Sequence, residues 1–537
     1  MRVAALAVLF LWAPLASAAD VVQPSTTNNN DSCDIALTPA ATLLLPYFEV
    51  DTTAPPGTGT TTIFSVVNTS PYPQIAHVTI WTDWAFPVLG FNIFLTGYDA
   101  QLINVFDAVV RGLIAPNGSG GTGTSITTPP GSPYRFTRTF GTQATPLSNT
   151  ANPNFTMSGA LNVLTTCEQR NGFLPIELAI AVKNALTTGS GNTLTGASCA
   201  ASQIGFNHGK KAVGYITIDV VSYCTNKFPS DSDGSYFTGP DAPILFDNVL
   251  TGDYEEVGPA FTGGGPLVHI HAVPEGGLSG AGGAVPIATN LPFTFYDRYT
   301  PAYARTADRR QPLPSVWSAR WIEGGLGGFT TDLEIWREGI TGGAPNCQSA
   351  GGVAANKAIM IRDIVRFDEH ENSYGLICYA SCVGEYVPPI PALPATSRTA
   401  LSSCCTFPPN VGTDVIGWFY LNLNSEARDV ASYAAGPCHA VLSAQRSGFG
   451  TCNDAPPGRS GSRTASQSWV ITSLSGMVGA NHLSADINGV AFGNGCTPPP
   501  TYGSSIAPAS QRNGPVCPEN TLSINCAPGT FPAPINP

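Results

Sequence analysis

The alternation of apolar and polar positions in residues 60–107 predicts a group of adjacent antiparallel strands. Three runs rich in β-branched and aromatic residues are separated there by proline, glycine and asparagine, which is typical of strands joined by turns. In residues 75–81 two sets of side chains alternate, with Ile75, His77, Thr79 and Trp81 on one face and Ala76, Val78 and Ile80 on the other. This period of two is expected of a half-buried strand. Trp81 follows that alternation and is predicted to belong to the core, whereas Trp84 lies beyond the strand and is predicted to be exposed.

Similar patterns predict further strands and one helix. The predicted strands are residues 41–51, 212–224, 265–273, 291–299, 315–323, 331–338, 414–424 and 466–474. Pro46 places the first of these at a sheet edge or a bend, because proline cannot donate a hydrogen bond to the ladder. Residues 174–186 have apolar side chains at helical spacing and are followed by glycines, which predicts a helix.

Many short strands with turn signals between them, and almost no helix, predict an all-β fold. The expected architecture is an antiparallel β-sandwich, immunoglobulin-like or jelly-roll-like, with long loops and insertions and a disulfide-rich C-terminal region. Two arrangements remain open. The strands before residue 116 form a domain of their own, or they pair with the late strands to close one large sandwich.

The N-terminal segment predicts export. Arg2, an apolar run and the small residues before Ala19 are typical of a secretory signal peptide. No later run of about 18 apolar residues follows, so the exported chain is expected to lack a transmembrane segment. The expected regions are a signal peptide (1–18), a flexible lead-in (19–40), N-terminal sandwich strands (41–116), an insertion rich in glycine, serine, threonine and proline (117–165), a central β region with one helix (166–345), a cysteine-rich β region (346–497) and a proline-rich irregular tail (498–537).

The charge balance excludes one class of partner. The chain has 36 acidic and 24 basic residues, a net charge of −12, and only 11% of its residues are charged, where about a quarter is usual. Nucleic-acid binding needs a basic face, so no nucleic-acid partner is expected. The low charge and the many small polar residues suit an exported β-rich protein.

The chain contains 14 cysteines, and an even number in an exported protein predicts disulfides. Local candidates are Cys167 with Cys199 or Cys224, and Cys378 with Cys382; the pairing as a whole stays open. The remaining candidates are Cys404, Cys405, Cys438, Cys452, Cys496, Cys517 and Cys526.

A possible metal motif lies in a glycine-rich segment. The spacing of His269, His271 and Glu275 between flanking glycines resembles the first metal motif of the cupin family. Histidines two positions apart point from the same face of a strand, and a glutamate beyond the turn completes a triad for iron, manganese or zinc. No second cupin motif follows, so an ordinary strand with one exposed face is the alternative.

A second acidic segment resembles a calcium loop. Asp231, Asp233 and Ser235 place oxygens at alternate positions, and Asp241 ends the segment. The segment departs from an EF-hand because its glycine falls at position four instead of six and its twelfth position is Ala242. The alternative is a solvated acidic turn.

An arginine-rich segment is a candidate ligand-binding stripe. Arg305, Arg309 and Arg310 lie among tyrosines, and guanidinium and ring faces bind anionic polymers or sugars. Trp84 is a further candidate for stacking on a sugar ring. In the alternative interpretation, the arginines lie on a long surface loop and pair with the protein's own carboxylates.

Several segments resemble a group of large exported bacterial proteins. They are LLLPYFEVD (43–51), HVTIWTDW (77–84), FNIFLTGYD (91–99), RRQPLPSVWSARWI (309–322) and GWFYLNL (417–423). The resemblance implies an exported protein built as one extended unit. It implies no activity, ligand or catalytic residue.

The leading functional prediction is a structural or binding protein of the bacterial cell surface or extracellular space, without catalysis, whose partner is a surface polymer, a carbohydrate or a protein. No nucleophile elbow and no H-E-x-x-H zinc motif occurs in the sequence. One alternative is a metal-dependent, cupin-like or carbohydrate-active enzyme that uses the His269 strand. The other is a calcium-stabilised adhesion protein, and calcium is the cofactor that the sequence suggests.

Overall fold

A computed structural model of the protein confirms the all-β prediction. It describes residues 35–113, 174–191, 202–259, 262–272, 294–296, 308–337, 348–349, 359–375, 392–400, 415–422 and 467–491, with breaks of one to four residues inside several of these ranges. Most of these residues lie in antiparallel strands, and helix is confined to two short segments. No helix in the described ranges has the length and apolar character that crossing a membrane requires.

The strands are short, as the turn signals predict. Those of the first half are β1 (Thr42–Asp51), β2 (Thr61–Asn68), β3 (Gln74–Thr82), β4 (Pro87–Leu95), β5 (Ala100–Asn104), β6 (Ser202–Gln203), β7 (Lys211–Val221), β8 (Leu250–Thr251), β9 (Asp253–Val257), β10 (Thr262–Pro266) and β11 (Val268–Ile270). Those of the second half are β12 (Val316–Ile322), β13 (Thr330–Arg337), β14 (Gln348–Ser349), β15 (Ile359–Met360), β16 (Asp363–Asp368), β17 (Ser373–Gly375), β18 (Ala392–Leu393), β19 (Thr396–Ala400), β20 (Ile416–Asn422), β21 (Ser468–Val478), β22 (Asn481–Asn488) and β23 (Val490–Ala491).

The larger sheets form two sandwiches. Sheet I has the strand order β11-β1-β7-β3-β4, and sheet II has the order β10-β9-β2-β5 with β8 also paired to β2. They pack together as the first sandwich, through β1 against β2, β8 and β9. Sheet III (β17-β16-β20-β12-β23) and sheet IV (β19-β13-β21-β22) form the second sandwich, in which Trp317 and Trp469 pack edge to face with ring centres 4.9 Å apart.

The two sandwiches share one apolar core. A single cluster of buried side chains runs from β1 to β21. Sheet IV contacts the first sandwich through β13 and β19 against β1, and through β22 against β10. The strands before residue 116 therefore close the first sandwich only together with β7–β11, and that sandwich is packed directly against the later one.

Residues 60–107 contribute to both sheets of the first sandwich. The strands β3 and β4 form a hairpin in sheet I, whereas β2 and β5 pair with each other in sheet II. The predicted strands are confirmed, but they are not all neighbours in one sheet. Trp81 is fully buried, as the alternation predicts, and its indole Nε1 donates to Thr217 Oγ1 on β7 at 2.9 Å.

Pro46 marks a bend, and it lies in a strand with neighbours on both sides. Residues 42–44 of β1 pair with both β7 and β11. The register to β7 shifts between Leu45 and Phe48, so the missing N–H of Pro46 falls where the ladder is already interrupted. The Pro46 carbonyl accepts a 2.6 Å hydrogen bond from Thr396 Oγ1 of the second sandwich.

The predicted helix is confirmed as α1 (Ile176–Thr188), with Leu178, Val182 and Ala185 buried. It packs against β7 and a π-helical turn at Asp107–Arg111. The strand predicted for residues 291–299 is wrong over its described part, since residues 294–296 form a turn. There the Phe295 N–H donates to the carbonyl of Arg310 and not to a neighbouring strand.

Arg310 is the centre of a buried polar network in the first sandwich. Its side chain has no solvent exposure and forms ion pairs with Asp219 at 3.5 Å and Asp308 at 3.3 Å. Its Nη2 donates to the carbonyl of Leu245 at 2.9 Å, and its Nε donates to Thr42 Oγ1. A buried guanidinium is tolerated when its donors are paired in this way.

Asp219, on β7, is saturated by other donors. Thr42 Oγ1 donates to Oδ1 at 2.5 Å, and the hydroxyls of Tyr236 and Tyr296 donate to Oδ2 at 2.7 and 2.9 Å. These groups come from β1 and from two separate loop segments. The network therefore joins sheet I to the polypeptide that crosses over it.

Residues 308–314, here called the strap, connect the two sandwiches. The Gln311 N–H donates to the carbonyl of His271 in the first sandwich at 2.9 Å. Further along, the Leu313 N–H donates to Gln467 Oε1 at 2.9 Å, and the Pro314 carbonyl accepts from the Ser468 N–H of the second sandwich at 2.9 Å. Arg310 thus anchors the strap in the first sandwich, and the other end of the strap is hydrogen-bonded to Gln467 and to the first residue of β21.

We expect Arg310→Met to lower the free energy of unfolding by about 3–5 kcal/mol, because it leaves two buried carboxylates without their cation. Tyr296→Phe, which removes one hydrogen bond to Asp219, should cost about 1.5–3 kcal/mol. Urea unfolding followed by tryptophan fluorescence measures both. Arg320→Met, at an exposed arginine on β12, is the control and should change stability by less than about 0.5 kcal/mol. Equal effects of Arg310→Met and Arg320→Met would contradict the role of the network.

Candidate functional site

The two histidines of the predicted metal motif lie at the edge of sheet I, and both are buried. His269 is on β11, where its Nε2 lies 3.2 Å from Thr251 Oγ1. His271 follows the strand, and its Nε2 lies 2.8 Å from Thr38 Oγ1 and 3.1 Å from the Thr38 carbonyl oxygen. A carbonyl only accepts, so Nε2 of His271 carries the proton. Because β11 is buried throughout, the exposed strand face expected as the alternative to a metal site is not found there.

Burial keeps the His271 imidazole neutral. Desolvation, with a smaller contribution from nearby His269, lowers its pKa to about 4. Neutral imidazoles are suited to metal binding, but in the described residues no third histidine, cysteine or carboxylate joins this pair at metal-ligand distance. Glu275 lies outside the described residues. The part of the motif that the structure describes is thus a pair of histidines hydrogen-bonded to threonines.

The predicted calcium loop falls mostly outside the described residues. This applies to Asp231, Asp233 and Asp241. Ser235 is described, and its carbonyl accepts a 3.2 Å hydrogen bond from Lys227 Nζ. The predicted disulfides also lie outside the described residues, because every cysteine of the chain does.

The predicted arginine stripe is not a surface. Arg305 lies outside the described residues, while Arg309 and Arg310 are 2% and 0% exposed. Arg309 stacks on Phe246, with its guanidinium carbon 4.2 Å from the ring centre. Both arginines belong to the strap and are buried in the first sandwich, so neither is available to an external polymer or sugar. For Arg309 and Arg310 the surface position expected in the alternative is wrong as well, whereas the expected pairing with the protein's own carboxylates is found at Arg310.

Trp84 is buried instead of exposed, at 3%. Its ring packs edge to face on Phe206, with ring centres 5.1 Å apart. The turn between β3 and β4 is fixed beneath residues 202–208, because Asp83 accepts hydrogen bonds from the Phe206 N–H and from His208 Nε2. This cover, which comes from far along the chain, removes Trp84 from the candidate ligand-binding residues.

A group of three carboxylates, absent from the sequence predictions, lies between the sandwiches. Glu256 is on β9 of sheet II, while Glu334 and Asp486 are on β13 and β22 of sheet IV. One oxygen of each lies within 4.8 Å of the others. We call these residues the carboxylate cluster. In the described part of the chain it is the one group of three or more such residues with metal-ligand spacing.

The strands explain how the carboxylates meet. Along β9 the side chains alternate, so that Tyr254 and Glu256 are buried while Asp253 and Glu255 are exposed. In sheet IV, Glu334 pairs across the ladder with Arg398 of β19, and Asp486 pairs with Ser473 of β21. Packing of β22 against β10 then brings the two sheets together at this point.

Arg398 is the cation that pairs with the cluster. Its Nη1 lies 2.8 Å from Glu256 Oε2 and 3.3 Å from Glu334 Oε1, and its Nε lies 3.2 Å from Asp332 Oδ2. Its Nη2 donates to Ser473 Oγ at 2.8 Å. The guanidinium therefore serves several acids and leaves other carboxylate oxygens of the cluster without a hydrogen bond.

Burial and mutual repulsion dominate the electrostatics of the cluster. Desolvation, only partly offset by Arg398 and increased by Asp486, raises the pKa of Glu256 to about 8. Desolvation and the charge of Glu256 raise the pKa of Glu334 well above its usual value. Burial alone would lower the pKa of Arg398, but Glu334 and Glu256 raise it overall. One guanidinium does not compensate these acids.

A cleft opens beside the cluster. It has a volume of about 580 Å³ and is lined by residues of β2, β5, β9, β10 and β22, with Tyr254 and Asp486 in its wall. Asp253 and Glu255 also line it, and the described lining includes no lysine, arginine or histidine. Asp486 therefore belongs both to the buried cluster and to an acidic cleft that a ligand can enter.

Comparison of the chain with protein-family models, with curated proteins and with solved structures finds no match. A sandwich fold supports many unrelated functions, so the fold alone does not select one. The function has to be inferred from the groups that the fold brings together, namely the cleft and the carboxylate cluster behind it.

We expect the neutral state of His271 to make the protein acid-sensitive. A group whose folded pKa is about 4 and whose unfolded pKa is about 6.5 contributes stability above pH 6.5 and loses it as the pH falls towards 4. The loss amounts to about 3 kcal/mol. Urea unfolding between pH 7.5 and 4 measures it.

His271→Gln should be less stable at pH 7.5 but should show a shallower loss of stability on acidification. His482→Gln, at an exposed position of β22, is the matched control and should keep the wild-type slope. An unchanged slope for His271→Gln would show that His271 does not contribute to the acid limb.

Proposed function

We propose that the protein is an exported binding protein without catalytic activity, and that the cleft between its sandwiches binds a cationic segment of a partner protein. The observation that carries the proposal is the one-sided charge of the cleft. Its wall presents Asp253, Glu255 and Asp486, and its described lining has no basic side chain. Complementary charge steers partners and selects among them.

The size and the lining of the cleft suit a lysine or arginine side chain. A volume of about 580 Å³ lies within the range of about 300–1,000 Å³ typical of ligand sites. Leu102, on the same wall, is 64% exposed and offers an apolar surface for the methylene stem of such a side chain. Asp253 and Glu255 are exposed and can accept hydrogen bonds from its charged end.

Two observations support a non-catalytic role. Glu256 and Glu334, two carboxylates of the cluster, are 0% and 1% exposed, so a substrate does not reach them in the way that an acid/base pair requires. At His269 and at His271, Nε2 faces a threonine oxygen, and within the described residues no third metal ligand joins the pair. The metal-dependent enzyme predicted as the alternative from the His269 strand therefore has less support than binding.

Export is supported by the sequence. Residues 1–18 have the charge, apolar run and small residues of a secretory signal peptide. The segments that resemble exported bacterial proteins include residues 43–51, 77–84 and 91–99 in the first sandwich. These observations favour the cell surface, the periplasm or the extracellular space as the place where the partner is met.

We expect the purified protein to bind a capped tetra-arginine peptide and not a capped tetra-glutamate peptide. Asp253→Asn/Glu255→Gln should weaken tetra-arginine binding at least about tenfold, because two carboxylates that face the ligand lose their charge. Isothermal titration calorimetry at about 20 mM salt measures the affinity, and about 500 mM salt should weaken it through screening.

Glu177→Gln/Glu369→Gln is the control, because it removes the same net charge at two exposed positions outside the cleft. It should leave the affinity within about twofold of wild type. Equal weakening by both double variants would reduce the effect to overall charge and overturn the assignment to the cleft.

A further inference from the structure

We infer that Glu256, Glu334 and Asp486 form a calcium site that links the two sandwiches. The three side chains present oxygens within 4.8 Å of one another. Glu256 comes from sheet II of the first sandwich, and the other two come from sheet IV of the second. An ion bound by all three would therefore bridge the contact between β10 and β22.

The strongest sign of a missing partner is the state of the carboxylate oxygens. Glu334 is 1% exposed, and neither of its oxygens has a hydrogen bond; its contact with Arg398 at 3.3 Å is an ion pair only. Glu256 Oε1 and Asp486 Oδ1 are also buried without a hydrogen bond. Buried carboxylate oxygens are as a rule hydrogen-bonded or bound to a metal, and each of the three residues has at least one such oxygen to offer.

The charge balance points to a cation of more than one charge. When all four are ionised, Glu256, Glu334, Asp486 and Asp332 place four negative charges around the single guanidinium of Arg398. Breaking the pairing of a buried charge costs several kcal/mol. A divalent ion supplies the positive charge that Arg398 alone does not.

The ligand chemistry selects calcium. Carboxylate oxygens are hard ligands, which suits calcium and magnesium, whereas zinc, copper and iron sites commonly use nitrogen or sulfur. Magnesium keeps several waters and is usually held by one or two carboxylates, while calcium accepts three or more carboxylates in flexible geometry. Opposite calcium ligands are separated by about 4.6–5.2 Å, twice the usual bond length, and the oxygens of the cluster, all within 4.8 Å of one another, are close enough to share one ion.

The cleft provides the route of entry and the remaining ligands. Asp486 lies in its wall, and the Tyr254 hydroxyl, 3.3 Å from Asp486 Oδ2, lies beside it. Calcium takes six to eight oxygens, so water from the cleft completes its shell. This site lies behind the surface proposed to bind a cationic segment, and Glu334 and Glu256 do not line that surface.

The test is calcium titration of the full-length protein after removal of metal with a chelator. We expect calorimetry over about 10⁻⁶–10⁻³ M calcium to show binding, and the melting temperature to rise with calcium. Glu334→Gln keeps the shape of the side chain and removes its charge; it should weaken calcium binding at least about tenfold and abolish the rise in melting temperature. Asp486→Asn, at a partly exposed position, is the second variant should Glu334→Gln not fold, with the same expectation.

Glu177→Gln, on α1, is the matched control and should bind calcium as wild type does. Calcium binding that is unchanged in both Glu334→Gln and Asp486→Asn, or absent from wild type, would overturn the site. Tighter binding of magnesium than of calcium would overturn the choice of ion. Asp253→Asn/Glu255→Gln should keep the affinity for calcium but lose affinity for the tetra-arginine peptide. The calcium site and the peptide-binding cleft can therefore be refuted independently of each other.

Discussion

The buried pair of Arg310 and Asp219 is the constraint on which the arrangement of the two sandwiches depends. Asp219 lies on β7 in the middle of sheet I, and Arg310 lies on the strap that leaves the first sandwich. Because both side chains are fully buried, the strap has to lie where Arg310 reaches its partners. Its next residues, Leu313 and Pro314, then bond to Gln467 and to the start of β21. The charge pair in the first sandwich thus helps to set the position of the second, together with the packing of β13, β19 and β22 against β1 and β10.

In the carboxylate cluster, by contrast with the Arg310 network, the buried charges are not all paired within the protein. Arg310 has carboxylates, a hydroxyl and a carbonyl oxygen as partners, so its network is satisfied within the protein. Arg398 is shared among several acids, and Glu334 is left without a hydrogen bond. Buried ion pairs stabilise weakly even when they are complete. An incomplete one between two sandwiches is poorly explained by stability alone and is better explained by an ion that completes it.

The sequence contains the strands but not their partners. The alternation around Trp81 and the apolar spacing of α1 are local signals, and the strand and the helix that they predict are confirmed, although β3 is buried on both faces instead of one. Sheet order depends on pairing between distant strands, so local pattern did not separate β2 and β5 from β3 and β4. Trp84 shows the same limit, because its cover comes from Phe206. Glu256 follows another glutamate on β9, so the sequence suggests a solvent-facing side chain. The groups found around it, Glu334, Arg398 and Asp486, come from strands much later in the chain.

The cluster and the cleft are physically connected through Asp486, which belongs to both. A calcium ion held by this carboxylate would reduce the negative potential of the cleft wall and so weaken the attraction of a cationic segment. By thermodynamic reciprocity, the segment would lower the affinity for calcium by the same factor. Asp253 and Glu255 remain charged in either state, since they face outward from β9. The ion would therefore tune the affinity of the cleft while these two carboxylates retain its preference for positive charge.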